Sequence, residues 1–166
     1  MDFNEALLQL NVAVMKKHPD AAFYEAKGYL VPNDSIGCNV DGTIDPQRFK
    51  AVFRKPVNET VIATFTEDGK PTLEVVKEPW LEDLVTTPYV PLKIKQAIDL
   101  LVKALGNDAI TEGPVTLRHQ LFPGEAEPRY FFGTLANLHT INVYTQKIDV
   151  PAGNNTIKNF VKKLLK

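Results

Sequence analysis

The chain has 166 residues, of which 44% are apolar and 23% are charged, and these proportions are typical of one globular domain and exclude a chain that is disordered throughout. Its formal net charge of −1 and its isoelectric point near 6.3 give no basic excess, so we expect no nucleic-acid partner and no polybasic membrane surface. No apolar run approaches the roughly 18 residues that a membrane-spanning helix needs, so no membrane span is predicted.

The cysteine content and the start of the chain bear on the compartment. Cys38 is the single cysteine, so no intrachain disulfide is possible. It lies among Gly, Asn and Asp, and we interpret it as a loop residue rather than as a reactive thiol. The first residues lack the basic and apolar regions of a signal peptide. We therefore expect a soluble protein that is either cytoplasmic or the mature form of an exported one.

A helix is predicted at the beginning of the chain. Asp2 and Glu5 have the spacing of a capping box, and apolar residues then recur at helical spacing as far as Val14. Pro19 disfavours the helical conformation in the residue before it, so the helix should end near Lys17. The apolar stripe is wide, and this width predicts a helix packed between layers.

Four strands are predicted after this helix from alternating apolar and polar residues, over residues 22–31, 48–54, 57–66 and 72–76. Residues 67–70, Glu-Asp-Gly-Lys, place a glycine where a hairpin turn needs positive φ. On the second strand, Arg48, Lys50 and Arg54 alternate with apolar residues. This pattern predicts a strand with one buried side and one solvated, basic side.

The second half repeats this order after a connection over residues 79–90. A second helix should begin near Pro91 and end at Gly106, where a glycine is a natural stop. Three strands follow in the prediction, over residues 115–122, 129–135 and 138–150. Residues 151–166 are predicted to form a C-terminal helix with one apolar face and one lysine-rich face.

The predicted order is therefore αββββ, then αβββ, then a final helix, and the two halves match locally. Residues 48–53 correspond to residues 129–134, and residues 61–66 correspond to residues 141–145. Such an internal repeat changes the expected fold more than any other signal. We predict an α+β fold of two tandem helix-plus-antiparallel-sheet units, in residues 1–78 and 91–150, that share one core because a single unit buries little surface.

Few of the sequence patterns that support catalysis or metal binding are present. The chain has no Gly-rich phosphate loop, nucleophile elbow or Cys–His pair. Residues 39–45, NVDGTID, are similar to the middle of a calcium-binding EF-hand loop. Gly37 and Arg48, however, stand where that loop needs its first and last carboxylates, so we interpret the segment as a turn. The three histidines lack metal-ligand spacing. We predict no catalytic residue, no cofactor and no metal ligand.

Five residues are candidates for binding a partner. Arg118 and Arg129 would extend the basic side of the sheet for a carboxylate-bearing partner, although charge on a solvated strand also prevents aggregation between sheet edges. Trp80, the only tryptophan, is either a binding anchor or a plug between the two halves. His119 and Tyr130 would supply polar groups to a pocket between the sheet and a helix.

Two segments carry a resemblance to a known family. Residues 13–21, AVMKKHPDA, lead from a helix through a proline to a strand, and residues 62–70, IATFTEDGK, end in a turn with Asp, Gly and Lys. Together they resemble a PepSY-like domain, whose units pair a helix with a small antiparallel sheet. A second copy over residues 91–150 follows the same order but departs at residues 144–148, YTQKI, which lack the turn glycine. The resemblance covers most of the chain and implies tandem PepSY-like or cystatin-like units.

What the resemblance implies is binding rather than catalysis. PepSY-like units occur in peptidase propeptides and as tandem extracytoplasmic modules that bind or inhibit partners, and they carry no catalytic residues to transfer to this chain. We therefore expect a non-enzymatic module that binds a protein or peptide, and a peptidase inhibitor is one version of it. The alternative is a small-ligand or enzymatic pocket between sheet and helix. The sequence predicts neither the partner nor the oligomeric state.

Overall fold

The computed structural model describes residues 1–33, 39–80, 84–119, 127–134 and 138–150. Within these ranges the chain forms two α-helices, α1 (Phe3–Lys17) and α2 (Ile94–Leu105). Neither helix is long and apolar enough to cross a membrane, a finding that covers the described ranges only. Eight strands accompany the helices: β1 (Ala22–Leu30), β2 (Lys50–Lys55), β3 (Glu59–Phe65), β4 (Pro71–Val76), β5 (Gly113–His119), β6 (Pro128–Phe132), β7 (His139–Asn142) and β8 (Ile148–Asp149).

Local signals at both ends determine the length of α1. The Asp2 side chain accepts hydrogen bonds from the backbone N–H groups of Asn4, at 2.8 Å, and Glu5, at 3.3 Å. These bonds satisfy donors that have no partner within a helix. The helix ends at Lys17, one residue before the His18 cap that precedes Pro19. The bounds predicted for this helix are confirmed.

All eight strands form one antiparallel sheet in the order β4-β3-β2-β1-β5-β6-β7-β8, so the prediction of an α+β fold with antiparallel strands is confirmed. The prediction of two tandem helix-plus-sheet units is wrong, because β1 pairs with β2 on one side and with β5 on the other. In separate units, β1 and β5 would each present an unpaired edge, and their pairing removes both edges. The predicted C-terminal helix, residues 151–166, lies outside the described residues.

The last predicted strand, residues 138–150, is also wrong, because it is a hairpin of β7 and β8. The Asn142 side-chain oxygen accepts hydrogen bonds from the backbone N–H groups of Tyr144, at 2.8 Å, and Thr145, at 2.9 Å. Gln146 has a φ of 61°, a conformation that usually selects Gly or Asn. An asparagine side chain therefore closes this turn in place of the glycine that sequence reasoning looks for.

Both helices contribute to a single core on one side of the sheet. Ala26 of β1 is opposite Ala51 of β2 on one side and opposite Leu117 of β5 on the other. Leu117 is in turn opposite Tyr130 of β6, and all four side chains are buried. Phe3 of α1 packs its ring against this layer. The remaining buried core side chains come from every strand except β4 and β8, from both helices, from the loops that lead into β2, α2 and β5, and from the turn after β7.

A buried polar network connects α1, the start of α2 and the sheet. The Asn4 side-chain oxygen accepts from the Ile94 N–H at 2.7 Å, and the Asn4 amide donates to the Tyr130 hydroxyl at 2.8 Å. That hydroxyl donates to the Leu92 carbonyl oxygen at 2.9 Å. Because a buried polar group is costly without a partner, these three bonds fix where α2 begins relative to α1.

The loop before β2 fits closely between the two helix starts. The Gly42 carbonyl oxygen accepts a hydrogen bond from the Phe3 N–H at 3.0 Å, and the residue has a φ of 102°. A Cβ atom at this position would lie 2.5 Å from the Ile94 Cγ2 atom and 3.1 Å from an Asp2 carboxylate oxygen. The glycine therefore serves both the backbone conformation and the close packing.

Gly42→Ala is expected to lower the free energy of unfolding by about 2–5 kcal/mol, because it adds overpacking to the strain of a positive φ. Gly69→Ala is the matched control, since Gly69 has a φ of 77° and no atom within 4 Å of the place that a methyl group would take. It should cost only about 1–2 kcal/mol, the strain alone. Urea unfolding of both variants measures the difference, and equal losses would contradict the close packing.

Candidate functional site

The side of the sheet that faces away from the helices carries the cationic residues of the central strands. Because Ala26, Ala51 and Leu117 point into the core, their neighbours in sequence point to the opposite side. Lys27 is directly opposite Lys50 on β2 and directly opposite a threonine on β5. Two lysines therefore lie side by side on neighbouring strands, and like charges in directly opposite positions are unfavourable by themselves.

Three cations on this side lie over aromatic rings. The Arg48 Cζ atom is 3.4 Å from the centroid of the Tyr29 ring, the Lys50 Nζ atom is 5.7 Å from that of Trp80, and the Arg118 Cζ atom is 4.7 Å from that of Phe131. Each ring face attracts its cation and restricts its movement. We call this surface the basic face, and its members are Lys27, Arg48, Lys50 and Arg118 with the rings of Tyr29, Trp80 and Phe131.

A cavity of about 380 Å³ lies in the basic face. Lys27, Arg118 and Phe131 are part of its lining, and Glu25 is another part. Glu25 is directly opposite Arg118 in the register and is 3% exposed, whereas Lys27 is exposed. Among the described residues that line this cavity, the one carboxylate is thus buried in the sheet, while the Lys27 side chain reaches the solvent.

Arg129 is directly opposite Arg118 but has a different role. Its side chain is 1% exposed, donates a hydrogen bond to the Thr140 hydroxyl at 2.7 Å and lies 3.0 Å from an Asp149 carboxylate oxygen. These contacts join β6 to β7 and β8. Arg129 therefore neutralises Asp149 and holds the last hairpin, and the structure does not place its charge at the accessible surface.

The other two predicted binding residues lie apart from the basic face. His119 is at the end of β5, opposite Pro128, and is partly buried. Tyr130 is on the helix side, within the core. Burial raises the pKa of Tyr130 far above its ordinary value, although the hydrogen bond from Asn4 acts in the opposite direction. Of the five predicted residues, the structure brings Trp80 and Arg118 onto one surface.

Sequence reasoning missed Lys27, Tyr29 and Phe131. Alternation in β1 and β6 shows that these side chains share a side with other polar residues. They belong to the candidate site because of contacts with residues that lie elsewhere in the sequence. Lys27 is paired with Lys50, Tyr29 lies under Arg48, and Phe131 lies under Arg118. No signal within one strand identifies such neighbours.

The space between α1 and the sheet is filled by aromatic packing. The Phe3 ring is 5.1 Å from the Phe49 ring and 5.9 Å from the Tyr130 ring, both in edge-to-face geometry. Leu7 and Leu10 of α1 are also fully buried. This packing fills the interface around Phe3, Leu7 and Leu10.

The loop that is similar to part of an EF-hand uses its carboxylate internally. Asp41 accepts hydrogen bonds from the Thr43 hydroxyl and the Asn33 amide, both at 2.7 Å. Burial opposes ionisation of Asp41, but these bonds outweigh it and lower the pKa of the carboxyl. The described residues contain no group of three or more His, Cys, Asp or Glu placed to hold a metal ion. Cys38 lies outside the described residues.

Comparison with known proteins gives information on the fold alone. No protein-family model matches the chain, and no curated protein matches it. The fold is similar to that of a solved structure described as a putative lipoprotein from Clostridium difficile 630. The two chains are 12% identical, the TM-score is 0.51, and the match covers 91% of this chain and 95% of the other. The shared architecture therefore extends over nearly the whole of both proteins.

Tyr130→Phe should lower the free energy of unfolding by about 1–3 kcal/mol, because it leaves Asn4 and the Leu92 carbonyl without their buried partner. The pH dependence should change as well. A phenol whose pKa is raised in the folded state contributes stability below its ordinary pKa of about 10 and loses it as the pH rises above that value. Urea unfolding at neutral pH and above pH 10 should show a smaller alkaline loss in the variant than in the wild type.

Lys27→Gln is expected to raise the free energy of unfolding by about 0.2–1 kcal/mol, because it removes a like-charge pair directly across two strands. High salt should abolish the gain by screening the repulsion in the wild type. Urea unfolding at low and high salt measures both effects. A loss of stability at low salt would contradict the assigned repulsion between Lys27 and Lys50.

Proposed function

We propose that this protein is a non-enzymatic binding module whose basic face holds an acidic segment of a partner protein. The observation that carries the proposal is the set of three cation–aromatic pairs on one sheet surface, with Lys27 placed beside Lys50. A carboxylate between the two ammonium groups would relieve their repulsion. The free energy of binding is therefore more favourable, because a bound carboxylate removes the repulsion between the two lysines.

The way the rings are used favours carboxylates over nucleic acid. Proteins that bind single-stranded nucleic acid offer free aromatic faces on which bases stack. Here each of three rings has a face against a cation, so the rings hold cationic side chains in place. They are the rings of Tyr29, Trp80 and Phe131. The Arg48 guanidinium is exposed where it lies over the Tyr29 ring, and its planar fork suits bidentate contact with a carboxylate.

The resemblance of residues 13–21 and 62–70 to PepSY-like units agrees with a binding role, but the tandem arrangement that it implied is not the one found. Such units bind or inhibit partners, some of them peptidases, without catalytic residues of their own. A peptidase-directed inhibitor is the narrower form of the proposal, and it rests on this resemblance alone. The broader form, recognition of an acidic polypeptide, rests on the geometry of the basic face.

Trp80 provides the test, because it is the only tryptophan and lies beside Lys50. A short oligoglutamate peptide should change the Trp80 fluorescence in a saturable manner that weakens with salt. The double variant Lys27→Gln, Lys50→Gln should bind it about tenfold more weakly. Lys103→Gln, an exposed change on α2, is the single-charge control and should leave the affinity unchanged.

Two further probes decide between classes of partner. Oligolysine of the same length should not bind, since it has the wrong charge for the face. Oligothymidylate should bind more weakly than oligoglutamate. Tighter binding of the oligonucleotide, or an unchanged oligoglutamate affinity in the double lysine variant, would make the proposal wrong.

A further inference from the structure

The edge strand β4 has main-chain groups that point away from the sheet. Within the described part of the chain, the sheet ends at β4, and only β3 pairs with it. The Thr66 N–H donates to the Lys70 carbonyl at 2.8 Å, which makes this a hydrogen-bonded pair. Antiparallel pairs alternate, so Leu73 and Val75 have their N–H and C=O groups directed outward. Pro71 occupies the same set of alternate positions. Its nitrogen, which carries no hydrogen, is directed outward, so no hydrogen bond to β3 is missing.

The side chains of the same residues face α1. Leu73 is opposite Ala63 and Val75 is opposite Val61, and both β3 residues are buried under the helix. A groove of about 850 Å³ lies along α1 beside this edge. Its apolar lining comes from Leu8, Val12 and Ala13 of α1 and from Pro71 and Leu73 of β4.

The groove also has a distinct charge pattern. Asp2 and Glu5 line it, but Asp2 accepts two backbone hydrogen bonds as the helix cap. Glu5 accepts a bond from the Gln9 amide at 3.4 Å. Lys16 and Lys17 also line it, at the C-terminal end of α1. Lys93 lines the groove near the start of α1, where its ammonium group donates to the Val90 carbonyl oxygen at 3.0 Å. The two adjacent lysines, Lys16 and Lys17, provide positive charge at the other end.

We propose that β4 and this groove bind an extended polypeptide segment of another protein by strand addition. The outward groups of Leu73 and Val75 pair with the main chain of the segment, and every second side chain enters the apolar groove. An acidic residue of the segment meets Lys16 and Lys17. Only an extended strand matches both features, because the free main-chain groups and the groove-facing side chains belong to the same alternate residues.

This surface differs from the basic face in position and in chemistry. Most of its binding comes from main-chain hydrogen bonds and apolar contact, so salt weakens it less than it weakens binding at the basic face. The double variant Lys27→Gln, Lys50→Gln should therefore bind a groove peptide as the wild type does. The two proposals can fail separately.

The probe is a displayed library of random short peptides, selected on the full chain. Enriched peptides should carry apolar residues at alternate positions and an acidic residue at one end. Val12→Asp places a charge in the groove at a side chain that is 51% exposed, and it should weaken the enriched peptides by about tenfold or more. Val57→Asp, at a site 86% exposed in the β2–β3 turn, is the matched control and should have no effect.

Main-chain methylation tests strand addition itself. N-methyl groups at one set of alternate peptide residues should abolish binding, and at the other set they should be tolerated. Equal effects of both sets, or equal binding by Val12→Asp and Val57→Asp, would overturn the proposal. Sedimentation velocity gives the remaining outcome: a dimer of this chain that Val12→Asp dissociates would show that a second copy occupies the edge, and the proposal would be wrong.

Discussion

Six residue pairs between β1 and β5, from Glu25–Arg118 to Leu30–Gly113, join the first four strands to the last four. These two strands are the centre of the sheet, and every other strand lies outward from them. The pairing also brings Lys27 beside Thr116 and Glu25 beside Arg118. The basic face is therefore a product of this contact, because its cations come from strands on both sides of it.

The helix layer depends on the sheet through one buried side chain. Asn4 uses both ends of its amide, one toward the first backbone N–H of α2 and the other toward the Tyr130 hydroxyl of β6. Apolar packing alone is not directional, and it would allow α2 to slide along the sheet. The amide adds direction, since a displacement leaves buried donors and acceptors without partners.

Sequence reasoning succeeded where the signals are local. The bounds of α1 follow from Asp2 and Pro19, and the β3–β4 hairpin follows from the glycine at 69. It failed where the structure depends on pairing between strands that are distant in sequence, because alternation within β1 does not identify β5 as its partner. The β7–β8 turn was missed for a second reason, since the side chain of Asn142 closes it.

The residues of the candidate site also fall into those that the sequence suggested and those that only the strand register reveals. Residue type suggested Trp80, because tryptophan is enriched in binding hot spots, and basic charge on a predicted strand suggested Arg118; both lie on the basic face. Residue type could not separate Arg118 from Arg129, which is buried against Asp149. It also could not find Lys27, whose importance comes from the register that puts it opposite Lys50.

The central position of the β1–β5 pair has a consequence for how this chain folds during synthesis. The first four strands leave the ribosome before β5 exists, and β1 then has a bare edge. The sheet closes only when two segments distant in sequence meet, a type of contact that makes folding slow. In that interval β1 can pair with other chains, so the nascent protein is exposed to aggregation until its second half arrives.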